Sequence, residues 1–503
     1  MENRRVIQVK PLGASPSAAG SDEILQLSDM DLCMPKLYVQ MIEVFELPEA
    51  TEDQMVRIVN NLVKGLERAI TDYPILTGTL HFNNEAKRVV VKRQSDSALG
   101  FHVREANDIP SFSVLDKYDF PTHVLDSTKV LPEQFVGANF IPTYGKDIES
   151  DGPAVAGAQA TFIKGGVILG FVTPHQICDG PGFESFLTTW SRYSAAATAS
   201  NGAELNGLAE SSGQIPKRTI LTAKKKPKLS PEEFQTFVDK FPTIKFRDGP
   251  PAPPPADFKM PVVKSRVWHF PKSKLQELKA KSSVGLEPGS WISTYDALLA
   301  MMWRGTVRAR SSVLKSDTAA PSKTVHAVNG RSRASPPISE RYIGTAITLP
   351  QSVPLTVGQV LGDLDTTLPV LAQNVRASTK SITPEYINDL VKYAAGAHDL
   401  RYSELDMHWI LGLDCMAFDW HTMKSYQKHD FGFGRPAALR WPNPGFEGFF
   451  FVLPTRAGVR NAGENEGIEV IFGLEENCFA ALEKDPEFTH YAEQRGLGVE
   501  REL

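Results

Sequence analysis

The residues with the clearest chemical potential in this 503-residue chain are His175-Gln176-Ile177-Cys178-Asp179-Gly180. An imidazole, with a reference pKa near about 6.5, is the side chain best matched to proton transfer at neutral pH, and a carboxylate four residues on can fix the loop that carries it. The spacing alone is weak. With eleven histidines in the chain, a His followed by Asp four residues later arises by chance in roughly half of such sequences. The following Gly lowers that figure about fifteenfold. On these residues alone two readings stand level: a general base with its loop anchor, or a polar turn in which Asp179 caps the next helix.

A second string, DFGFG from Asp430 to Gly434, follows a run rich in aromatics and His (Trp420, His421, Tyr426, His429) and precedes Arg435-Pro436. It should arise by chance in under about 1% of chains this long. A kinase reading fails, because the chain has neither an HRD loop nor a Gly-rich phosphate loop. There is also no GxSxG, GxGxxG or Walker loop, and no His, Cys and carboxylate cluster with metal-ligand spacing. The sequence therefore predicts metal-free chemistry and gives no support to a nucleophilic serine or to nicotinamide or nucleotide chemistry.

The elements that must position these residues follow from periodicity. Leu37, Val39, Met41, Val44 and Phe45 suit a half-buried strand. Met55, Ile58, Val59, Leu62, Val63, Leu66 and Ile70 repeat at three and four, which predicts an amphipathic helix ending before Pro74. Residues 160–173 read as a hairpin turning at Lys164-Gly165-Gly166, delivering the chain to Pro174 and His175. Phe183, Phe186, Leu187, Trp190 and Tyr193 then recur at helical spacing, with Pro181 in the first turn. The His175 segment is thus expected as strand, sharp loop, helix. Downstream, 262–270 reads as a strand, 291–310 as a helix with Ala297, Leu298, Met301, Met302 and Val307 on one face, and 323–328, 344–349, 447–453 and 467–474 as short strands.

Composition bounds the rest. A chain of this length exceeds one ordinary core, and a division into 1–210, a surface crossover over 211–260 (with KKKPK at 224–228 and DGPPAPPPAD at 248–257), and 261–503 is expected. Apolar residues make up 42% and charged residues 22%, which excludes disorder as the main state. Net charge is 54 − 59 = −5, giving no positive field for nucleic acid or an anionic membrane. Cys33, Cys178, Cys415 and Cys478 form no CxxC pair, fitting reduced thiols in a cytoplasmic protein. No apolar run reaches signal-peptide or membrane-helix length.

Taken together, HQICDG and DFGFG resemble the HxxxD and DFGWG marks of the BAHD acyl-CoA-dependent acyltransferases. Four further segments in order resemble the same family: LQLSDMDL (25–32), LERAITDYPILTGTL (66–80), STYDALLAMMWR (293–304) and VNGRSRASPPISERYIGTA (328–346). The resemblance implies an α/β fold of two similar chloramphenicol-acetyltransferase-like lobes, each a mixed sheet with helices, and a channel between them. It implies that His175 is the base for direct transfer from acyl-CoA, most simply acetyl-CoA as a co-substrate, to a hydroxyl of a small specialised metabolite. Asp179 would turn away from the substrate and pair with Arg331, orienting the loop. Trp420 is the nearest match to a family Trp beside the oxyanion, although its spacing to Asp430 is about one residue longer than usual. Gly180, Asp430, Gly432 and Gly434 would support the site structurally.

Phe433 replaces the usual Trp, and Thr345 stands where Asn is common, departures that point to a divergent, fungal-type branch. For CoA, Ser293 and Thr294 are candidates because a helix N-terminus offers free N–H groups, with ordinary capping as the alternative. Family members are usually monomers. A condensation-domain relative drawing on a carrier protein, N-acylation in place of O-acylation, and a non-catalytic CoA-like binding protein are the competing readings. The first of these usually carries a second His just before the motif, where Pro174 stands here.

Overall fold

In the computed structural model, the described residues are 4–502 apart from 14–21, 49–50, 138–141, 143, 200–214, 248, 250–254, 256, 443–444 and 460–461. The 210/211 boundary and most of the Pro-rich 248–257 stretch fall outside them. The fold is mixed α/β and is built around two six-stranded sheets.

The first sheet runs, in spatial order, Arg4–Val9, Leu99–Glu105, Gly157–Ile163, Gly166–Pro174, Tyr38–Glu46 and Ala438–Arg440. All neighbours are antiparallel except the parallel pair 99–105 and 157–163. The predicted hairpin forms where expected, with Gly165 at φ 77°, a conformation glycine adopts without cost. The strand Tyr38–Glu46 is buried along nearly its whole length, not on one face only. It is an inner strand, flanked on both sides and covered on both faces, so alternation underestimated its burial.

Helices Glu52–Asp72 and Gly180–Ala199 pack side by side against this sheet. Their contact leaves no room at Gly65, where a Cβ would stand 2.6 Å from the Ser194 backbone nitrogen. The Trp190 indole donates to Leu62 O at 2.9 Å.

The second sheet runs Thr324–His326, Cys415–Asp419, Phe449–Val452, Ile468–Glu475, Val263–Phe270 and Glu493–Gln494. Its first three strands are parallel and the others antiparallel. Helix Thr294–Leu314 is buried almost all round from Tyr295 to Arg310, where the sequence predicted one apolar face. Helices Lys272–Ser282, Leu364–Lys380 and Glu476–Glu483 enclose it. Its buried Arg304 and Arg310 are satisfied by Glu487 and Glu447, so the helix is enclosed without being apolar on every side.

Two features cut across the expected division of the chain. Ala438–Arg440 comes from the second half yet completes the first sheet, and Arg440, fully buried, donates to both carboxylate oxygens of Glu469 (2.8 and 2.9 Å) and to the carbonyls of Asp119 and Phe120 (2.7 and 2.8 Å). Burial would raise the Glu469 carboxyl, but Arg440, Arg456 and Arg495 hold it down to about 2. The described part of 211–260 is also more than a surface crossover: it carries helix Pro231–Lys240 and strand Ile244–Phe246, which pairs with Ser403–Leu405. Leu221, Phe241 and Ile244 are buried, with Phe241 and Phe246 against Tyr393. Phe234, Phe237, Phe241 and Phe246 all pack on Tyr393 and dock this otherwise polar segment. No helix among the described residues is long and apolar enough to cross a membrane.

Candidate active site

His175 follows directly on strand Gly166–Pro174, and its backbone N–H donates to Leu37 O at 2.9 Å, so the turn is pinned to the neighbouring strand. The side chain is 6% exposed. Burial lowers the imidazole pKa below its ordinary value, and the Asp179 and Asp31 carboxylates do not reverse this. The ring is therefore neutral at pH 7, the form a general base requires. Nδ1 is buried and meets no side-chain partner, while the residue borders a cavity of about 700 Å³.

Asp179 turns away from that cavity. Its oxygens accept from Arg331 Nη1 (2.9 Å) and Nη2 (2.7 Å), from Gly182 N–H (2.8 Å) and from Ala346 N–H (2.8 Å). Both partners of the pair are completely buried. Arg331 Nη2 also donates to the carbonyls of Tyr342 (2.7 Å) and Gly344 (3.0 Å). The bond to Gly182 N–H is helix capping, so the two readings of Asp179 coexist: it caps the 180–199 helix and anchors the loop through Arg331. Asp179 acts on His175 by fixing its loop; no hydrogen bond joins the two among the described contacts.

Two residues that sequence reasoning missed complete this support. Asp31, fully buried, accepts from Thr345 N–H (2.7 Å) and from Arg218 Nη1 (2.8 Å). Arg218 Nη2 donates in turn to Ile177 O (2.7 Å), inside the His175 loop, and Thr345 Oγ1 donates to His175 O (3.3 Å). The LQLSDMDL string contained Asp31, but nothing local to Arg218 marked it. Thr345 thus serves the loop with its hydroxyl.

The cavity draws His175, Gly180 and Pro181 from the first half and Ser293, Thr294 and Trp420 from the second. A Cβ built on Gly180 would stand 2.9 Å from Trp420 Nε1, so the glycine lets the indole close on the helix start beside His175. Trp420 stacks on Trp441 (centroids 5.7 Å apart). Ser293 is an N-cap: its hydroxyl accepts from Asp296 N–H (3.1 Å) and its own N–H donates to Asp296 Oδ2 (2.7 Å). Its capping role and its place on the cavity wall go together. Lys279, Arg333 and Arg376 line the same side, with the Arg376 guanidinium 3.6 Å from the centre of the Trp291 ring. The lysines of KKKPK are exposed and do not line it.

Asp430, Gly432 and Gly434 lie apart from the cavity. Asp430 Oδ1 accepts from the N–H groups of Gly432 (2.8 Å) and Gly434 (3.3 Å), closing a turn whose glycines sit at φ 94° and 111°. Phe431 packs edge-on to Trp190 (5.1 Å) and Phe433 to Phe45 (5.1 Å). This turn docks on the 180–199 helix, which leads out of the His175 loop, and on strand Tyr38–Glu46 of the first sheet. Among the described residues there is no group of three or more His, Cys, Asp or Glu able to hold a metal, and all four cysteines are free and buried.

Comparison with known proteins identifies the family. The Transferase family model matches residues 12–489. Acetyltransferase FGR3 of Gibberella zeae is 27% identical over 99% of this chain and 95% of its own length. Eremophilane O-acetyltransferase prx11 of Penicillium rubens is 28% identical over 68% of this chain and 72% of its own. Among solved structures, Fusarium sporotrichioides TRI101 complexed with coenzyme A and T-2 superposes with a TM-score of 0.73 at 21% identity, covering 94% of this chain and 100% of that one. Vinorine synthase superposes with a TM-score of 0.65 at 17% identity, covering 99% and 100%. With its motifs assembled on this fold, the chain belongs to the Transferase family, that of the BAHD acyltransferases, and is an acyl-CoA-dependent acyltransferase.

Proposed function

We propose that the protein moves an acetyl group from acetyl-CoA to a hydroxyl of a small, largely apolar specialised metabolite, in one step within a ternary complex. The observation that carries the reading is the buried, neutral His175 bordering a cavity with cations on one side and Phe418, Trp420, Trp441, Phe446, Phe449 and Phe451 on another. Lys279, Arg333 and Arg376 suit the phosphates of the donor, and the aromatic wall suits an apolar acceptor. The relatives' names support an acetyl group and an alcohol.

The steps follow from these residues. His175 removes the acceptor's hydroxyl proton as its oxygen attacks the thioester carbonyl. The tetrahedral oxyanion then accepts a hydrogen bond from the Trp420 indole N–H. Collapse breaks the carbon–sulfur bond, and the leaving thiolate takes the proton back from the His175 imidazolium, restoring the neutral base. No acyl-enzyme forms. Burial favours the cycle because it keeps the imidazole neutral before the proton transfer and makes it give the proton up afterwards.

The test is a thermal melt of the wild type and His175→Ala with a panel of acyl-CoAs and free CoA. A ligand bound only by the folded state stabilises by about 2.7 kcal/mol at a hundredfold excess over Kd. Acetyl-CoA is expected to raise both melts alike, with turnover confined to the wild type. Failure of every acyl-CoA to shift the wild-type melt would refute the proposal.

A further inference from the structure

The end of strand Cys415–Asp419 divides the cavity. Side chains alternate across a strand, and here Phe418 and Trp420 face the aromatic wall, contacting Phe449, Phe451 and Trp441. The intervening residues belong to a different group. His421 pairs through Nδ1 with Asp419 and stacks on Tyr295 (centroids 5.5 Å, 13° between planes), and Tyr295 lies near-parallel to His326 (6.0 Å, 18°). All four residues line the cavity. They sit on the cationic side: helix Leu364–Lys380 supplies Arg376 and Thr379 to the cavity and Ser378 to His326.

Two atoms of this group are buried without any hydrogen-bond partner, the Tyr295 hydroxyl and His326 Nδ1. Tyr295 is 8% exposed and His326 1%. Buried polar atoms are almost always satisfied, and an orphan on a cavity wall calls for a ligand. The tautomer of His326 follows from its neighbour. The Ser378 hydroxyl donates to Val375 O at 2.7 Å, so its oxygen must accept from His326 Nε2–H at 3.0 Å. Burial lowers the His326 pKa to about 4, so the ring is neutral and Nδ1 is a bare acceptor. Burial likewise raises the Tyr295 phenol well above its ordinary value, so its hydroxyl keeps its proton and can donate.

One free acceptor and one free donor on neighbouring, near-parallel rings match a secondary carboxamide, which offers one N–H and one C=O. We propose that Tyr295 and His326 hold a carboxamide of the acyl donor's pantetheine arm, as positioning residues that set the depth to which the thioester enters toward His175. The arm is the source favoured by the adjacent cations, since a carboxamide in the same molecule as the phosphates reaches the pair from that side. This rests on the acyl-CoA reading above.

The experiment measures binding of CoA and of adenosine 3′,5′-bisphosphate, which carries phosphates but no amide, to the full chain by titration calorimetry. Tyr295→Phe and His326→Leu are each expected to raise the Kd of CoA about tenfold, the effect of leaving one buried hydrogen bond of the complex unmade, and to leave the bisphosphate Kd unchanged. His326→Asn, whose side-chain oxygen can stand near the position of Nδ1 as an acceptor, should bind CoA more tightly than His326→Leu. Tyr295→Phe should melt no lower than the wild type without ligand, because it deletes an unsatisfied group; a purely structural role for the hydroxyl would lower the melt instead. Unchanged CoA binding in folded variants, or equal weakening of both ligands, overturns the assignment. If the wild type binds the bisphosphate but not CoA, both readings fall; if it binds CoA and the variants do too, only this one does.

Discussion

Removing the charge of Asp179 should unfold the loop before it affects the chemistry. The carboxylate accepts four hydrogen bonds, two from Arg331 and one each from Gly182 and Ala346, all between 2.7 and 2.9 Å and all out of contact with water. In Asp179→Asn one oxygen becomes an NH₂ that faces donors, and the Arg331 guanidinium is left as a buried charge with no counter-ion, held by neutral oxygens alone, among them Asn329 Oδ1, Tyr342 O and Gly344 O. Breaking a buried pair from one side costs about 3 to 5 kcal/mol, a large share of a total stability of about 5 to 15 kcal/mol. The assay is urea unfolding followed by tryptophan fluorescence, since Trp190, Trp268 and Trp303 are buried. Arg331→Met should cost a similar amount. The double variant Asp179→Leu with Arg331→Met should recover part of the loss, because no charge is then stranded, although the N–H groups of Gly182 and Ala346 still lose their acceptor. Asp179→Asn that is as stable as the wild type yet catalytically dead would refute the reasoning, and would make Asp179 a group that acts on His175 electrostatically.

Three further outcomes are expected. Trp420→Phe should lower kcat by about 10²-fold with little change in KM if the indole donates to the oxyanion, as steady-state kinetics with saturating acetyl-CoA would show; an unchanged kcat removes Trp420 from the mechanism. Gly432→Ala places a Cβ against the Thr198 hydroxyl at φ 94°, so it should lower the melt while the folded fraction keeps its KM values, because the turn is remote from the cavity. Stability should fall on acidification from about pH 6.5 to 4: with the folded His326 at about 4, the unfolded chain binds that proton first, and the contribution lost by the lower end is about 3 kcal/mol. Urea midpoints across that range should be flatter for His326→Asn than for the wild type, and parallel slopes would exclude His326 as a source.

What could be read from the chain was what lies close together along it. The hairpin, its Gly165 turn, the helix after Pro181 and the placement of His175 between them all follow from side-chain type and spacing within about 35 residues of sequence. Arg331 lies 152 residues from its carboxylate, a distance that no period spans, and it was legible only through likeness to a family. Arg218 and His326 carried no local mark, and although Tyr295 and His421 lie in strings that stood out, nothing in the sequence showed that Tyr295, His326 and His421 form one column, because each belongs to a separate segment. DFGFG illustrates the reverse: its rarity marked it as important, and its importance turns out to be a tight turn that seats Phe431 and Phe433 on Phe45 and Trp190.

The late strand Ala438–Arg440 bears on how the chain is made. On the ribosome the N-terminal residues emerge first, and the outer edge of Tyr38–Glu46 then waits, with its backbone N–H and C=O groups unpaired, until residue 440 has left the exit tunnel. During that interval the nascent first sheet presents an open, apolar edge of the kind that recruits other strands. An N-terminal fragment expressed alone would keep this edge permanently, together with the carbonyls of Asp119 and Phe120 that Arg440 covers in the whole molecule. Biosynthesis of this protein is thus a long exposure ended by three residues, and chaperone occupancy mapped along its translation should drop only after they appear.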